Sequence, residues 1–573
     1  MKIVSYLRDR LGAGTPRTVP GGASFAHAFG WAIVFLLLVE GLSGAALAAF
    51  YSPSTTNAWA SVAYIQDHET WGWLVRGIHA HGGGAVAIAC GVHLLQTGLV
   101  GAYKKPRELT WWIGILAMVV LLAWAVSGYV LRWDQAGFWG SHVEVGVIAG
   151  SPVIGDKLRG LVLGGNDYGN LTLTRVYMLH IVAFPLLAVG AVALHVKLAR
   201  KHGPLPMRAK AATVPRWPDQ TIRDLVVMAL AFAALVAYTV STHGAELLAP
   251  ADPSQAFDAR PLWYYRWLYE LRYLAGSKEE IAALAAPVVV GGLLGVLPRI
   301  DRGEDRALRN RKLPLAILVG VCASITALTI MSFVNDANDQ PHQDALVKAE
   351  TQALHARALA EKYGVPVTGA LDVYKTPPMW QARTLFATRC AGCHTDPDPK
   401  AKPDPKAKPR TGPLIGFGHG DRAWLKAFLK DPAGAAFYGK SKLASPDVGM
   451  RPVDTKPDDL EDLIEMLHAE TGASDIDAAK RDRGKKVFEK ECTDCHTMTP
   501  GISASGPNLY GHGGRDYLID FIGNPKQAVH MGTDGEMPRF DKELTMVERD
   551  LLAGYLIWLR TASKHDVDTL DPL

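Results

Sequence analysis

Two pairs of histidines, His79/His93 and His180/His195, stand in apolar stretches long enough to cross a bilayer, about residues 77–101 and 174–199. An α-helix rises roughly 1.5 Å per residue, so spacings of 14 and 15 residues separate the imidazoles of a pair by roughly 21–22 Å along the axis. Both spacings are close to four whole turns, so each pair shares one helix face. Two such helices side by side can hold two bis-histidine haems, one above the other, through roughly 30 Å of hydrocarbon. Histidine inside a membrane is costly and usually functional, and two matched pairs outweigh the bland account of isolated bonds to backbone carbonyls. His81 suits that bland account, because it points roughly 200° around the helix from His79. Gly30 and Gly44 in the first apolar stretch, and Gly114 and Gly128 in the third, are each 14 residues apart. A missing side chain lets a flat macrocycle approach the backbone; ordinary small-residue helix packing is the alternative.

The chain has 573 residues, enough for more than one domain. Its apolar residues are unevenly distributed, with seven long stretches before residue 335: about 26–50, 77–101, 109–131, 174–199, 222–241, 281–298 and 313–334. Beyond them the chain is polar, so a membrane half precedes a soluble half. A net charge of +4 is too small to imply nucleic acid or an acidic partner. Basic residues cluster at the N-terminus (Lys2, Arg8, Arg10, Arg17) and in the second (Lys104, Lys105, Arg107), fourth (Lys197, Arg200, Lys201, Arg208, Lys210, Arg216) and sixth (Arg299, Arg302, Arg306, Arg309, Arg311, Lys312) connections. Odd-numbered connections carry mixed or acidic charge, such as Asp67 and Glu69. The expectation is a cytoplasmic N-terminus and a soluble half delivered outside, in a bacterial inner membrane. No cleavable signal peptide is evident, because the first apolar stretch is long and lacks a small-residue cleavage site.

Four of the six cysteines lie in Cys390-Ala391-Gly392-Cys393-His394 and Cys492-Thr493-Asp494-Cys495-His496. This pentapeptide is a c-type haem attachment site, in which two thiolates bond the haem vinyls and the histidine ligates iron. Cys90 and Cys322, in apolar stretches, are most simply buried thiols. The two sites belong to a repeat: Phe386 and Phe488 precede them equally, Gly412-Pro413 matches Gly506-Pro507, and Trp424-Leu425, Phe428 and Asp431-Pro432 match Tyr517-Leu518, Phe521 and Asn524-Pro525. Both copies resemble class I cytochrome c domains, which close the sixth iron position with a late methionine; Met450 and Met537 fit, with His419 and His512 as competing ligands. The lysine- and proline-rich run from Asp396 to Arg410 reads as a solvated insertion.

The membrane half resembles cytochrome b of the quinol–cytochrome c reductases, closest to the chloroplast-type cytochrome b of bf complexes. The carrying residues are Lys104-Lys105-Pro106-Arg107-Glu108-Leu109-Thr110-Trp111, Gly128-Tyr129, Trp133-Asp134-Gln135, Phe138-Trp139 and Leu173-Thr174-Arg175 before His180. Trp217-Pro218-Asp219 looks like the start of the separate three-helix subunit of bf complexes, here fused. The resemblance implies that His79 and His180 share an outer haem b, that His93 and His195 share an inner one, and that Arg76 pairs with a propionate. A snorkelling interfacial arginine is the plainer reading of Arg76. Two departures stand out. The bf-type tether cysteine falls at Ala28, so no third covalent haem is expected. The family's Pro-Glu-Trp-Tyr proton-accepting motif is here Pro261-Leu262-Trp263-Tyr264, and leucine cannot take a proton.

The expected fold is all-α: a seven-helix transmembrane bundle followed by two small helical cytochrome c domains. The expected divisions are 1–215 for a haem-binding four-helix bundle, 216–335 for a three-helix quinol-site domain, 336–380 for a linker, and 381–470 and 478–573 for the cytochrome c domains. The implied activity is that of the core subunit of a quinol–cytochrome c oxidoreductase with two haems b and two covalent haems c. Its partners would be membrane quinone, a separate Rieske iron–sulfur protein, and a soluble cytochrome c, oxidase or reaction centre as acceptor, in a homodimeric complex. Glu144, His142 and Glu270, beside Tyr264, are the candidate proton acceptors in place of the motif glutamate. The rival expectation is an electron-conducting subunit without its own bifurcating quinol site, which Leu262 favours.

Overall fold

The computed structural model describes residues 18–151, 155–165, 167–206, 212–396, 410–445, 447, 449–563 and 565–566. The basic N-terminal cluster, Arg208, Lys210 and most of the 396–410 insertion lie outside the described residues. The chain divides into two compact units, one ending at Val373 and one beginning at Tyr374.

Among the described residues of the first unit, seven helices are long and apolar enough to cross a membrane. Its helices, in chain order, are α1 (Phe29–Ala48), α2 (Ala58–Asp67), α3 (Gly72–Leu99), α4 (Glu108–Val130), α5 (Gln135–Ala149), α6 (Gly155–Leu163), α7 (Asn170–His202), α8 (Thr221–Ser241), α9 (Arg266–Ala275), α10 (Glu279–Ile300), α11 (Lys312–Asn338) and α12 (Gln340–Tyr363). Helix α1 packs along α3, and α4 along α7, so each histidine-bearing helix lies against a glycine-bearing one. Helix α8 covers α1 and α3, while α9, α10 and α11 pack on one another. Leu36, Val86, Leu121, Ala188 and Leu235 interlock where α1, α3, α4, α7 and α8 meet.

The bundle is tied at its connections by buried polar groups, which need partners once removed from water. Asp134, fully buried, accepts from Gly137 N at 2.8 Å and Leu248 N at 3.0 Å and faces Arg132, so the Trp133-Asp134-Gln135 motif anchors the 246–252 segment. At another connection, Arg311 donates to Asp301 at 2.8 Å and Lys104 pairs with the same carboxylate at 2.6 Å. Two of the basic residues counted for topology therefore also lock the fold. The expected 336–380 linker is largely α12, whose Ala349 and Ala353 pack against Leu248 and whose Arg357 pairs with Asp67. It is a docked strut.

The second unit contains α13 (Pro378–Arg389), α14 (Ala391–His394), α15 (Arg422–Lys430), α16 (Pro457–Glu470), α17 (Ala478–Glu491), α18 (Arg515–Gly523) and α19 (Met546–Leu559). Two of its helix pairs cross the boundaries 381–470 and 478–573, α13 on α19 and α16 on α17, while α15 on α16 and α18 on α19 pair within them. Consequently one apolar core joins Ala382 and Phe386 to Ile522, Leu552 and Tyr555, and another joins Leu425 and Leu463 to Phe488.

Candidate haem and quinol sites

His79 and His180 face each other with ring centroids 6.1 Å apart and planes at 84°; for His93 and His195 the values are 6.3 Å and 82°. Two imidazoles bound through one nitrogen each to opposite sides of a metal, with bonds of about 2.0 Å, have centroids about 6.3 Å apart. The described geometry therefore fits an iron between each pair. Reaching it required a local departure from the α-helix. Fourteen residues fall about 40° short of four turns and fifteen overshoot by about 60°, so an unbroken helix would aim the two pairs differently. Leu179–Ala183 forms a π-helical turn at His180, which absorbs the extra residue. Pro185, lacking an N–H, sits just beyond it, and the Trp124 indole donates to the His180 carbonyl at 2.8 Å.

The four glycines meet the four histidines one to one. A Cβ at Gly44 would stand 2.9 Å from His79 Cε1, at Gly128 2.7 Å from His180 Cε1, at Gly114 2.8 Å from His195 Cε1, and at Gly30 3.5 Å from His93 Cε1. The other ring nitrogens are oriented from the same neighbourhoods. His180 Nδ1 lies 3.0 Å from Ser127 Oγ, and His195 Nδ1 donates to the Thr110 carbonyl at 2.9 Å. His79 Nδ1 lies 3.1 Å from Ser43 Oγ and 3.2 Å from Glu40 Oε2. Such second contacts select the tautomer that leaves Nε2 free for a metal. Around His93 and His195 lies a cavity of about 310 Å³, lined also by Gly30, Gly114, Arg107 and Arg200. The Arg200 Nε is buried without a hydrogen-bond partner, a donor suited to an acidic group of a cofactor.

Glu40 escaped the sequence reading. It is a carboxylate within a membrane helix, and intramembrane carboxylates are functional by default; its lone position inside an apolar run was the available signal. His81 makes the plain bond anticipated for it, 2.9 Å from the Gly244 carbonyl. Arg76 differs from expectation. It is buried rather than snorkelling, and donates to Gln66 Oε1 at 2.5 Å and to the Ala245 and Glu246 carbonyls at 2.6 Å each, which uses three of its five N–H groups.

The candidate proton acceptors are separated by their environments. Glu144 lies within electrostatic range of Arg272 and Tyr265; burial raises its pKa, against the opposing effect of Arg272. Tyr265 adjoins Tyr264, ring centroids 5.3 Å apart, and Tyr264 adjoins Trp263 at 5.4 Å. Tyr264 is also within electrostatic range of Glu40. His142 lies elsewhere, stacked on Tyr168 with centroids 3.8 Å apart, and burial lowers its pKa. Glu270 is buried and accepts from Asn335 Nδ2 at 2.7 Å, which leaves it engaged.

In the second unit, His394 Nδ1 donates to the Pro413 carbonyl at 2.9 Å and His496 Nδ1 to the Pro507 carbonyl at 2.7 Å. A Cβ at Gly412 would reach 2.7 Å from His394 Cε1, and one at Gly506 2.8 Å from His496 Cε1. The Gly-Pro pair of each repeat thus supplies ring clearance and the acceptor that fixes the tautomer. His419 rests edge-on against Trp424 and His512 against Tyr517.

Comparison with known proteins agrees. The Cytochrome b/b6/petB family matches residues 15–203, and the family described as Cytochrome C oxidase, cbb3-type, subunit III, matches residues 479–556. Cytochrome b6 of Crocosphaera subtropica is 35% identical over 208 residues, 35% of this chain and 94% of that protein. Cytochrome b/c1 of Bradyrhizobium diazoefficiens is 32% identical over 319 residues, 53% of this chain and 46% of that protein. The solved structure of a hyperthermophilic respiratory complex III matches with a TM-score of 0.52 at 25% identity, over 65% of this chain and 97% of the matched one. The chain belongs to the cytochrome b/b6 family, as a multi-pass membrane cytochrome b of a bc-type redox complex with a cytochrome c domain joined behind it.

Proposed function

We propose that the chain is the cytochrome b/c fusion subunit of a quinol–cytochrome c oxidoreductase in a bacterial inner membrane, with the cytochrome c unit on the outer side. The observation that carries this reading is the pair of facing imidazoles at iron-spanning separation, 6.1 and 6.3 Å between centroids. His79 and His180 would hold an outer haem b, His93 and His195 an inner one, with Gly30, Gly44, Gly114 and Gly128 clearing their rings. Cys390, Cys393 and His394, and Cys492, Cys495 and His496, would hold two covalent haems c. Bound there, the haems supply one-electron relay centres through and beyond the membrane.

The rest of the chemistry belongs to the protein. Quinol oxidation releases protons into an apolar pocket, and a positioned base contributes about 10²–10⁴-fold. Glu144 is the residue best suited: burial lifts its pKa, and its neighbour Tyr265 adjoins Tyr264 of the Pro-Leu-Trp-Tyr segment. Trp263 and Tyr264, in ring contact with each other, would border the bound quinol. Glu270 is engaged by Asn335 and ranks behind Glu144, as does His142, which stacks on Tyr168 and keeps Nε2 without a hydrogen-bond partner. A separate Rieske protein, a dimeric complex, and a soluble cytochrome, oxidase or reaction centre as acceptor complete the proposal. Leu262 favours a second reading, an electron-conducting subunit without its own bifurcating quinol site.

The test is Glu144→Gln in the purified complex. Quinol-dependent cytochrome c reduction should fall by about 10²–10⁴-fold with haem spectra unchanged. Full activity in the single variants at Glu144, His142 and Glu270, with no Rieske protein co-purifying, would favour the conducting subunit instead.

A further inference from the structure

The helix pairing of the second unit reaches the irons. Helix α13, which leads into Cys390, packs on α19 of the other repeat, and the rings of Phe386 and Tyr555 lie 5.6 Å apart. Helix α17, which leads into Cys492, packs on α16 of the first repeat. A Cβ at Gly484 would stand 2.0 Å from the Asp462 carbonyl, so these two helices approach as only glycine permits, and Arg483 clasps the Asp462 carboxylate at 2.6 and 2.7 Å.

The loops follow their helices. Met450 and Cys492 both pack against the core of Leu425, Leu463, Ile464 and Phe488. Val453 N donates to the Leu429 carbonyl at 2.9 Å, which ties the methionine loop of the first repeat to α15 in that core. Cys390 packs against the other core, with Ile522, Leu544 and Leu552. There Phe540 N donates to the Gly523 carbonyl at 2.9 Å, tying the Met537 loop to α18. Crossed contacts recur at the helix ends: Gly418 N donates to the Leu559 carbonyl at 2.9 Å, and Gly511 N to Glu470 Oε2 at 2.8 Å. The cause is local. Helices α16 and α17 are joined by a short connection that turns at Gly472, φ +79°, and a connection of this length makes antiparallel neighbours of successive helices. Once α17 lies on α16, α13 covers its apolar face on α19, beside Ile522 of α18.

We propose that the two repeats exchange halves, so that each haem c is completed by the other repeat. Met450 is the sixth ligand of the haem on Cys492, Cys495 and His496. Met537 is the sixth ligand of the haem on Cys390, Cys393 and His394. This rests on the reading of the Cys-x-x-Cys-His sites as covalent haem sites, which haem staining of the denatured chain tests separately.

The experiment uses the full chain with Cys390→Ala and Cys393→Ala, so that a single haem c remains at Cys492. In that background Met450→Ala should abolish the methionine–iron charge-transfer band of the ferric haem, lower its midpoint potential and open the ferrous iron to carbon monoxide. Met537→Ala should leave all three readouts unchanged. The reverse result, or no effect of either variant, overturns the exchange; the latter would indicate His419 or His512 as ligand. A second measurement avoids haem deletion. A protease site inserted between Ala473 and Ser474 is cut after folding, with both haems in place. The exchanged fold keeps the C-terminal fragment bound to the membrane fragment in detergent; release of a haem-bearing C-terminal module overturns it.

Discussion

Alanine substitution at the four membrane glycines tests the haem b geometry with an internal ranking. At Gly128, Gly114 and Gly44 the added methyl would stand 2.7, 2.8 and 2.9 Å from the Cε1 of His180, His195 and His79. These imidazoles are rigid and held at Nδ1 by Ser127, by the Thr110 carbonyl, and by Ser43 with Glu40. Relief therefore requires moving a ring or a helix. Overpacking of this kind costs about 1–3 kcal/mol, and at 1.4 kcal/mol per tenfold it weakens haem retention about 5- to 150-fold. At Gly30 the methyl would stand 3.5 Å from His93 Cε1, an ordinary van der Waals contact, and nothing need move. The variants should also sort by site: Gly44→Ala and Gly128→Ala deplete the outer haem b, whereas Gly114→Ala depletes the inner one. The assay is haem b per covalent haem c from pyridine haemochrome spectra, with redox titration to resolve the two haems b. The reasoning fails if Gly30→Ala loses as much haem as Gly114→Ala, or if the three close-contact variants retain full occupancy.

Other outcomes follow from the same geometry. Pyridine haemochrome analysis of the intact chain should give two haems b and two haems c; a third covalent haem would show that Ala28 was misassigned as lacking a tether. Glu40→Ala should raise the midpoint potential of the haem b of His79 and His180 without changing stoichiometry, because a carboxyl oxygen accepting from His79 Nδ1 makes the ligand more basic and favours oxidised iron; an unchanged titration counts against that coupling. In the second unit, the Arg422 guanidinium holds the Glu465 carboxyl down at about 2, from an ordinary value of 4.5. A depressed carboxylate contributes its stability above the unfolded value and loses it as pH falls, so acid should destabilise this unit between about pH 4.5 and about pH 2. Arg422→Ala should move the acid-unfolding midpoint of the second unit, followed by haem c absorbance, to higher pH; an unmoved midpoint would refute the linkage.

Much of the membrane unit was legible because a bilayer restricts what a sequence can do. Apolar runs must become helices, since unpaired backbone polar groups are intolerable in hydrocarbon. Histidines inside them are too costly to be incidental. The shared period of the histidine and glycine pairs pointed to helices that meet at the histidines, but which glycine helix lies on which histidine helix, α1 on α3 and α4 on α7, is seen only in the packing. The Gly-Pro pairs were legible as a repeat, whereas their bonds to His394 and His496 are seen only in the fold.

Other features depend on what approaches a residue from distant parts of the chain. The 15-residue spacing of His180 and His195 looks interchangeable with 14 in a periodicity count. Its π-turn arises only because both rings must meet partners set by α3. Arg76 read most plainly as a snorkelling arginine, yet it is buried against the carbonyls of Ala245 and Glu246, far along the chain. Glu40 acquired meaning only when His79 arrived beside it from the next span. The repeat in the second unit shows the divide most clearly. Sequence determined that there are two copies and which residues correspond, because each copy carries its own helices and motifs. It could not determine which N-terminal helix lies on which C-terminal helix, since both copies offer equivalent apolar faces. The tertiary structure decided that, through the short turn at Gly472 and the close approach at Gly484, which commit α17 to α16 and leave α13 to α19.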